Sequence, residues 1–263
     1  MIDFRTMPSA ILSCVVLMML FIACSVKENR DECPCLLMLD FSGLDSAQVK
    51  SVNVLAVSAD GVVFKECVRC EDFAEIYVRE VPHGFIKVNV WSGSTRESDS
   101  EHLVHIPYGM ECPPVHIHSF VADTRGESCR AQVSLNKNYC SLTVMMPDGT
   151  KVPYSMTFKG NVDGFDVNGK PSSGAFACVA YPSDSGDSQA LLPRQVDTSL
   201  LLEVDDGVPH LKQFAIGEYL AQAGYDWTAS SLDDVTIILD YSLTSVTIKV
   251  LGWTKDEVYN VVL

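Results

Sequence analysis

Alternation between apolar and polar residues runs through most of the chain, and this pattern limits its fold more than any other feature. The alternating segments, which are rich in β-branched residues, cover residues 51–58, 74–81, 85–91, 142–146, 154–159, 235–240 and 246–251. A period of two residues is typical of strands that bury one face. Turn sequences such as Ala59-Asp60-Gly61 separate the segments. The sequence therefore predicts an all-β chain built as antiparallel sandwiches.

One segment has helical spacing instead. Between Phe214 and Gly224, the apolar residues Ile216, Tyr219 and Leu220 are one, three or four positions apart. Gly224 is the predicted C-terminal cap, because glycine adopts the left-handed conformation that commonly ends a helix. We therefore expect one short helix in the C-terminal half of the chain.

Two strand-rich halves are predicted, and the weakest join between them is the polar segment 121–127. A chain of 263 residues is long enough for two small β domains after loss of a signal sequence. We place an N-terminal β-sandwich at residues 33–126 and a C-terminal β-sandwich at residues 127–263. The position of the boundary between them is approximate.

Residues 1–23 have the layout of an export signal, with a short charged start, an apolar run from Ile11 and a small residue, Ala23, at the end. The run is too short to span a bilayer, which takes roughly 20 apolar residues. The segment ending in Cys24 resembles the lipobox of bacterial lipoproteins, with Phe21 where leucine is usual. Cys24 is therefore the predicted lipidation site, and its acyl chains would anchor the protein. The alternative is an ordinary secretory signal followed by a coincidental cysteine.

Residues 24–32 are polar and are predicted to form a lipidated tether. Charged, acid-containing segments after a lipidated cysteine resemble the surface-export signals of some Gram-negative lineages, which favours the outer face of the cell outer membrane. A plain solvated linker is the alternative. The 34 acidic and 19 basic residues give a net charge of −15. This charge argues against nucleic acid as a partner and against electrostatic attachment to anionic lipid.

The cysteine content permits disulfides but does not assign them. Of ten cysteines, Cys14 lies in the signal and Cys24 is the predicted lipid site, which leaves eight. An even number in an exported chain favours disulfides or buried thiols, and the pairing cannot be deduced from the sequence. Cys67 and Cys70 also have the spacing of a redox pair or half a zinc site. Redox chemistry would need a helix N-terminus, and this segment lies among strands.

Four histidines cluster in the sequence, namely His102, His105, His116 and His118. The last two would share one strand face, where two imidazoles can bind a metal, but the alternation around them favours solvent-facing polar residues. Asp163, Asp166 and Asn168 carry oxygen atoms of the kind that binds calcium, but their spacing differs from that of an EF-hand loop. We predict no metal site.

Residues 164–170 match most of a phosphate-binding loop, but Pro171 stands where serine or threonine is required. The following residues read as another turn rather than the helix whose N-terminus would hold the phosphate. No serine-nucleophile or metalloprotease motif is present in the sequence. We therefore predict a protein that is not an enzyme and has no cofactor.

Several stretches carry a resemblance to a known family. They are residues 33–42, 90–93, 133–144, 164–171, 214–219, 224–227 and 246–250, with Trp253. The most telling are Gly-Tyr-Asp-Trp at 224–227 with the preceding helix, and the sequence from Leu135 to Cys140. Together the stretches resemble the FimB-type fimbrium anchoring subunits of type V pili, and the resemblance runs from Cys24 to Leu263.

This resemblance implies two β-sandwich domains of transthyretin-like topology on a lipid anchor in the outer membrane. Such a protein sits at the base of a pilus, where it attaches the fibre and limits its length, without a cofactor or enzymatic activity. Its partner would be a pilin subunit joined by strand addition, in which backbone hydrogen bonds supply affinity. The closing segment 258–263 looks like an ordinary final strand, so we expect the chain to end a fibre rather than extend it.

A surface glycan-binding or adhesin lipoprotein is the alternative function. Such a protein would present exposed tryptophan or tyrosine rings on one sheet face. The candidates are Trp91, Trp227 and Trp253, although each lies beside a strand or helix end, where core packing is favoured.

Overall fold

A computed structural model of the protein describes residues 33–72, 76–94, 101–147, 153–209, 211–240, 245–251 and 257–262. The predicted signal at 1–23, the predicted tether at 24–32 and the predicted lipid site Cys24 lie outside the described residues. No helix in the described part of the chain is long and apolar enough to cross a membrane.

The described residues are mainly β-strands, which confirms the predicted fold class. In chain order the strands are β1 (Cys35–Asp40), β2 (Ser51–Ser58), β3 (Gly61–Arg69), β4 (Tyr77–Val81), β5 (Phe85–Ser92), β6 (His102–His105), β7 (His116–Asp123), β8 (Ser128–Gln132), β9 (Asn136–Lys137), β10 (Tyr139–Met145), β11 (Ser155–Asp166), β12 (Pro171–Ala180), β13 (Ser188–Pro193), β14 (Leu201–Asp205), β15 (Lys212–Phe214), β16 (Val235–Asp240), β17 (Ser245–Leu251) and β18 (Glu257–Val262). A 3₁₀ turn covers Cys70–Asp72, and helix α1 covers Ile216–Gln222.

The first sandwich consists of a five-stranded sheet, in the order β3-β2-β5-β7-β9, and a three-stranded sheet, in the order β4-β1-β8. Alternate residues of β1, β2 and β5 point into the space between the sheets, as the alternation in the sequence predicts. Leu37, Val54 and Val88 are fully buried there and belong to one apolar cluster. This cluster is the core of the first sandwich.

The second sandwich has a larger core. Its sheets run in the orders β13-β10-β16-β17-β18 and β12-β11-β14-β15, and β6 adds to β11. Leu142, Phe158, Leu202 and Ile237 represent strands of both sheets in one buried cluster. In each sandwich a late strand pairs in parallel with the first one, β8 with β1 and β16 with β10, while the other described pairings are antiparallel.

Three strands pair across the predicted domain boundary. Strand β6 lies within the range 33–126 but pairs with β11. Strands β8 and β9 lie within 127–263 but pair with β1 and β7. The ranges themselves remain a prediction.

Helix α1 lies where the sequence predicts it, and Gly224 ends it as expected. Gly224 has a φ of +89°, and its N–H donates to the carbonyl of Ala221 at 3.1 Å. The N–H of Tyr225 donates to the carbonyl of Leu220 at 2.9 Å. These two hydrogen bonds form a Schellman motif, which satisfies carbonyls at the end of the helix.

The central strand of the five-stranded sheet is buried on both faces. Val88 and Val90 face the first core, whereas Trp91, together with Leu55 of β2, belongs to the second core. Asn89, between the two valines, is fully buried as well. The outer face of the first sandwich's larger sheet is therefore packed against the second sandwich.

The segment 164–170 is the tip of the β11–β12 hairpin and so connects two strands. The residues after it do not begin a helix, as predicted, but the turn expected there is wrong, because Pro171 begins β12. The Asp166 carboxylate accepts the backbone N–H groups of Asn168 and Lys170 at 2.8 and 2.9 Å and so holds the turn. The turn rests on the first sandwich, because the Asn89 side-chain amide donates to the Val167 carbonyl at 2.7 Å. Asp166 and Asn168 therefore take part in the hydrogen bonds that stabilise this turn.

Three of the cysteines, Cys112, Cys140 and Cys178, lie in the second core as free thiols. Burial raises the pKa of each thiol, to about 12 for Cys140 and Cys178. Cys67, in contrast, is exposed on β3. The buried thiols therefore behave as small apolar core residues.

Candidate binding cleft and open sheet edge

A cleft of about 1020 Å³ opens at one end of the first sandwich. Three connections line most of it: residues 43–51 after β1, residues 92–94 after β5, and residues 132–137 between β8 and β9. Pro114, His116 and Ser231 complete the lining. The volume lies at the upper end of the range for small-molecule pockets and is also sufficient for a short peptide segment.

The cleft has an apolar floor. Leu44, Val49 and Leu135 are half-buried and pack against the first core, and Val133 is buried beside them. An apolar side chain of a ligand would therefore meet apolar atoms that are already held by the sandwich, and its burial would contribute about 25 cal/mol per Å² of apolar surface.

The rim of the cleft is polar. Lys50 donates through Nζ to the Ser46 carbonyl at 3.0 Å, and Lys137 pairs with Asp234. The Nδ1 atom of His116 lies 3.1 Å from the Pro114 carbonyl oxygen. Burial lowers the pKa of His116, which favours the neutral form of its ring. Asp45 of the lining and Asp234 balance the charges of Lys50 and Lys137, so the rim offers hydrogen-bonding groups without a net cationic surface.

Gly93 shapes one wall of the cleft. It has a φ of +87°, and a Cβ there would lie 2.0 Å from the Pro114 carbonyl oxygen. Only glycine allows the end of β5 to pass so close to the chain entering β7. This packing explains why glycine stands at the end of the sequence 90–93.

Strand β8 is an open edge of the three-stranded sheet, directly beside the cleft. It runs parallel to β1, and the N–H of Val133 donates to the carbonyl of Asp40 at 2.9 Å at the end of this ladder. A parallel strand uses alternate residues for its partner. The backbone groups of Ser128, Arg130 and Gln132 therefore point away from β1, where none of the described strands pairs with them.

The opposite edge, β4, is tied to the other sheet. The Arg79 guanidinium donates through Nε to Glu66 Oε1 of β3 at 2.9 Å, and the Tyr77 hydroxyl donates to Glu66 Oε2 at 2.7 Å. The guanidinium also stacks on the Tyr77 ring, 4.3 Å from its centroid. The hydrogen bond from Arg79 is the main reason that the pKa of Glu66 is lowered. Side chains close this flank of the sandwich, so β8 is the more accessible edge.

The tryptophans that could have formed a glycan platform lie in the core. Trp91 is 1% exposed and Trp227 is 8% exposed. Trp253 lies outside the described residues. The expectation that core packing explains Trp91 and Trp227 is therefore confirmed.

The four clustered histidines separate into two groups. His116 and His118 lie on β7, where the ring of His118 accepts the N–H of Ser134 at 3.2 Å. His102 and His105 lie on β6, beside β11 of the second sandwich. The cleft itself has no sequence signal, because its lining comes from connections that only the folded chain brings together.

Solved structures share this fold over nearly its full length. A protein from Bacteroides thetaiotaomicron with a proposed role in polysaccharide binding matches with a TM-score of 0.61 at 13% identity, over 86% of this chain and 98% of that chain. The fimbrial anchor protein Mfa2 from Porphyromonas gingivalis matches with a TM-score of 0.61 at 11% identity, over 84% and 98%. A proposed adhesin from Bacteroides ovatus matches with a TM-score of 0.58 at 12% identity, over 86% and 96%.

The resemblance to fimbrial anchor subunits is thus confirmed at the level of the fold, which these proteins share with this chain. No protein-family model matches the sequence, and no curated protein matches it.

Proposed function

We propose that this protein is an outer-membrane lipoprotein that anchors a fimbrium at the cell surface by strand-mediated contact with a pilin subunit. The observation that carries the proposal is the fold shared with the fimbrial anchor Mfa2, which extends over 98% of that protein. An anchor of this kind works by holding a partner, so the proposal includes no catalytic residue and no cofactor.

Attachment to the membrane rests on the lipobox-like segment that ends at Cys24. Labelling of cells with radioactive palmitate tests it in the wild type, in Cys24→Ala and in Cys14→Ala. The control change removes a cysteine of the same signal that lies too early in the apolar run. We expect Cys24→Ala to lose the label and to be released into the medium, while Cys14→Ala keeps both label and attachment. Labelled, membrane-bound Cys24→Ala protein would contradict the lipid anchor.

Contact with a pilin is best supported at the β8 edge. An added strand would bond to the outward backbone groups of Ser128, Arg130 and Gln132, and its side chains would reach the apolar floor around Leu135. The β8 edge ends at the cleft, because Gln132 is the last residue of β8 and also lines the cleft. Backbone hydrogen bonding allows such a contact to form without a specific side-chain motif.

A proline substitution separates backbone bonding from side-chain contact. Gln132→Pro removes one outward N–H from the β8 edge, whereas Gln132→Ala keeps it. Glu80→Pro is the matched control, because it removes an outward N–H from the β4 edge. We expect Gln132→Pro cells to shed fimbriae and to lose pilin in pull-downs, with the other two variants like the wild type. Equal retention by all three variants would refute contact at β8.

A surface glycan-binding or adhesin role is the second candidate, because the chain also shares its fold with a protein of proposed polysaccharide-binding role. The polar rim and the volume of the cleft are compatible with a sugar chain. A glycan array with the purified protein tests this function. Saturable binding that His116→Ala abolishes would favour it over the anchor.

A further inference from the structure

Three side chains that commonly bind metals meet where β6 pairs with β11. One ligand atom from each of His102, His105 and Asp163 lies within 4.8 Å of the other two. The imidazole rings have centroids 5.2 Å apart. His105 is exposed, and the other two residues are half-buried, so an ion from solvent can reach the group.

A bulge in β6 places both histidines on the same side of the strand. Residues three positions apart point to opposite faces of a regular strand. Here His102 pairs with Asp166 and Val104 with Phe165, which leaves Leu103 as an extra residue. Leu103 and Val104 are consecutive and both fully buried. The extra residue reverses the alternation, so His105 returns to the side of His102.

A second bulge, in β11, brings in the carboxylate. The pairing of β11 with β12 shifts between Val162 and Gly164, so Asp163 is the extra residue. Gly164 has a φ of +154°, and a Cβ there would lie 2.1 Å from the Val104 carbonyl oxygen. Glycine at this position therefore allows β6 to approach β11 closely enough for Asp163 to meet the histidines.

Neighbouring residues of β12 hold the carboxylate in place. The Ser172 hydroxyl donates to Asp163 Oδ1 at 2.7 Å. Gly174 leaves space for the other oxygen, since a Cβ there would lie 1.8 Å from Asp163 Oδ2. A hydrogen bond that orients a carboxylate ligand is the usual second layer of a metal site.

We propose that His102, His105 and Asp163 bind one divalent transition-metal ion, with zinc as the ion to be tested. Two imidazoles and one carboxylate suit zinc and its neighbours rather than calcium or magnesium, which prefer oxygen ligands alone. Water would complete the coordination from the solvent side. The site lies on the second sandwich and does not depend on the proposed anchoring of a fimbrium.

Zinc titration of the purified full-length protein, followed by isothermal calorimetry, tests the site. The variants are His105→Gln and Asp163→Asn. The control is His83→Gln, which removes an exposed histidine between β4 and β5 that belongs neither to this group nor to the cleft lining. We expect one zinc per chain in the wild type and the control, and at least about tenfold weaker binding in the two site variants. Asp163→Asn keeps an oxygen for Ser172, and His105 is exposed, so unchanged melting temperatures without metal should show that both variants fold.

Cobalt distinguishes this site from binding to cysteines. A cobalt ion held by histidine and carboxylate gives only weak visible bands, whereas thiolate ligation adds strong near-ultraviolet absorption. The proposal expects the weak bands in the wild type and their loss in His105→Gln. Equal zinc affinity in all variants, no binding up to millimolar zinc, or a thiolate spectrum that His105→Gln leaves unchanged would overturn it.

Discussion

Asn89 connects the two sandwiches through one buried amide, and its removal is the sharpest test of how they are held together. Its Nδ2 donates to the Val167 carbonyl at the tip of the β11–β12 hairpin, 2.7 Å away. Its Oδ1 accepts the Ser119 hydroxyl at 2.6 Å. Asn89 is fully buried, so water does not replace these bonds without a rearrangement of the hairpin.

The expected cost of Asn89→Ala follows from these contacts. Leaving the Val167 carbonyl without its donor costs about 1–3 kcal/mol. The Ser119 hydroxyl is half-buried and can turn to water, so its loss adds less than about 1 kcal/mol. With lost packing of the amide included, we expect a destabilisation of about 2–4 kcal/mol, which corresponds to a melting temperature lower by roughly 5–15 °C.

Urea unfolding followed by tryptophan fluorescence measures this change, and Asn161→Ala is the matched control. Asn161 is half-buried, and it also donates through Nδ2 to an oxygen 2.7 Å away, on Asp197, but this hydrogen bond is exposed to solvent. An exposed hydrogen bond exchanges with water, so the control should lose less than about 1 kcal/mol. Equal losses in the two variants, or a loss under about 0.5 kcal/mol for Asn89→Ala, would refute the argument from burial.

Three further outcomes are expected from the same fold. Gly169→Ala should destabilise the protein by about 1–3 kcal/mol in urea, because Gly169 has a φ of +74° and a Cβ there would lie 1.9 Å from Ser119 Oγ. An unchanged midpoint of urea unfolding would contradict the close packing of the hairpin tip against β7. Iodoacetamide should label Cys67, which is exposed, in the folded protein, but Cys178 only after unfolding, because burial raises the pKa of the Cys178 thiol to about 12. Mass spectrometry that finds both cysteines labelled in the folded protein would disprove this. Hydrogen bonds from Ser42 and Arg130 lower the pKa of Asp40 to about 2, so its contribution to stability should be full above the usual carboxylate pKa and lost as the pH falls towards 2. Asp40→Asn should therefore make the stability of the protein less dependent on pH in that window. An acid-unfolding curve identical to that of the wild type would contradict this expectation.

Local patterns of the sequence were sufficient to predict many elements. The alternating segments 51–58 and 235–240 coincide with β2 and β16, and Gly224 ends α1 as predicted. These features depend on neighbouring residues alone, because strand alternation reflects the burial of one face and a helix cap reflects one backbone conformation.

The same patterns do not reveal which strands pair. β8 pairs with β1, which lies much earlier in the sequence, and β6 in the first half of the chain pairs with β11 in the second half. The entropy of closing a loop changes slowly with its length, so sequence distance is a weak guide to pairing. The bulges at Leu103 and Asp163 are equally hidden, and a regular period of two residues would place His102 and His105 on opposite faces of their strand.

The amino-acid sequence by itself determined that the described segments fold mainly into strands, with a short helix ending before Gly224, because those choices follow from the residues adjacent to each position. Only the tertiary structure decided that Asn89 and Trp91 are buried on the outer face of a sheet, and that separate connections enclose the cleft. Both results depend on contacts between distant segments, whose free energy comes from the packing of the whole chain rather than from any local pattern.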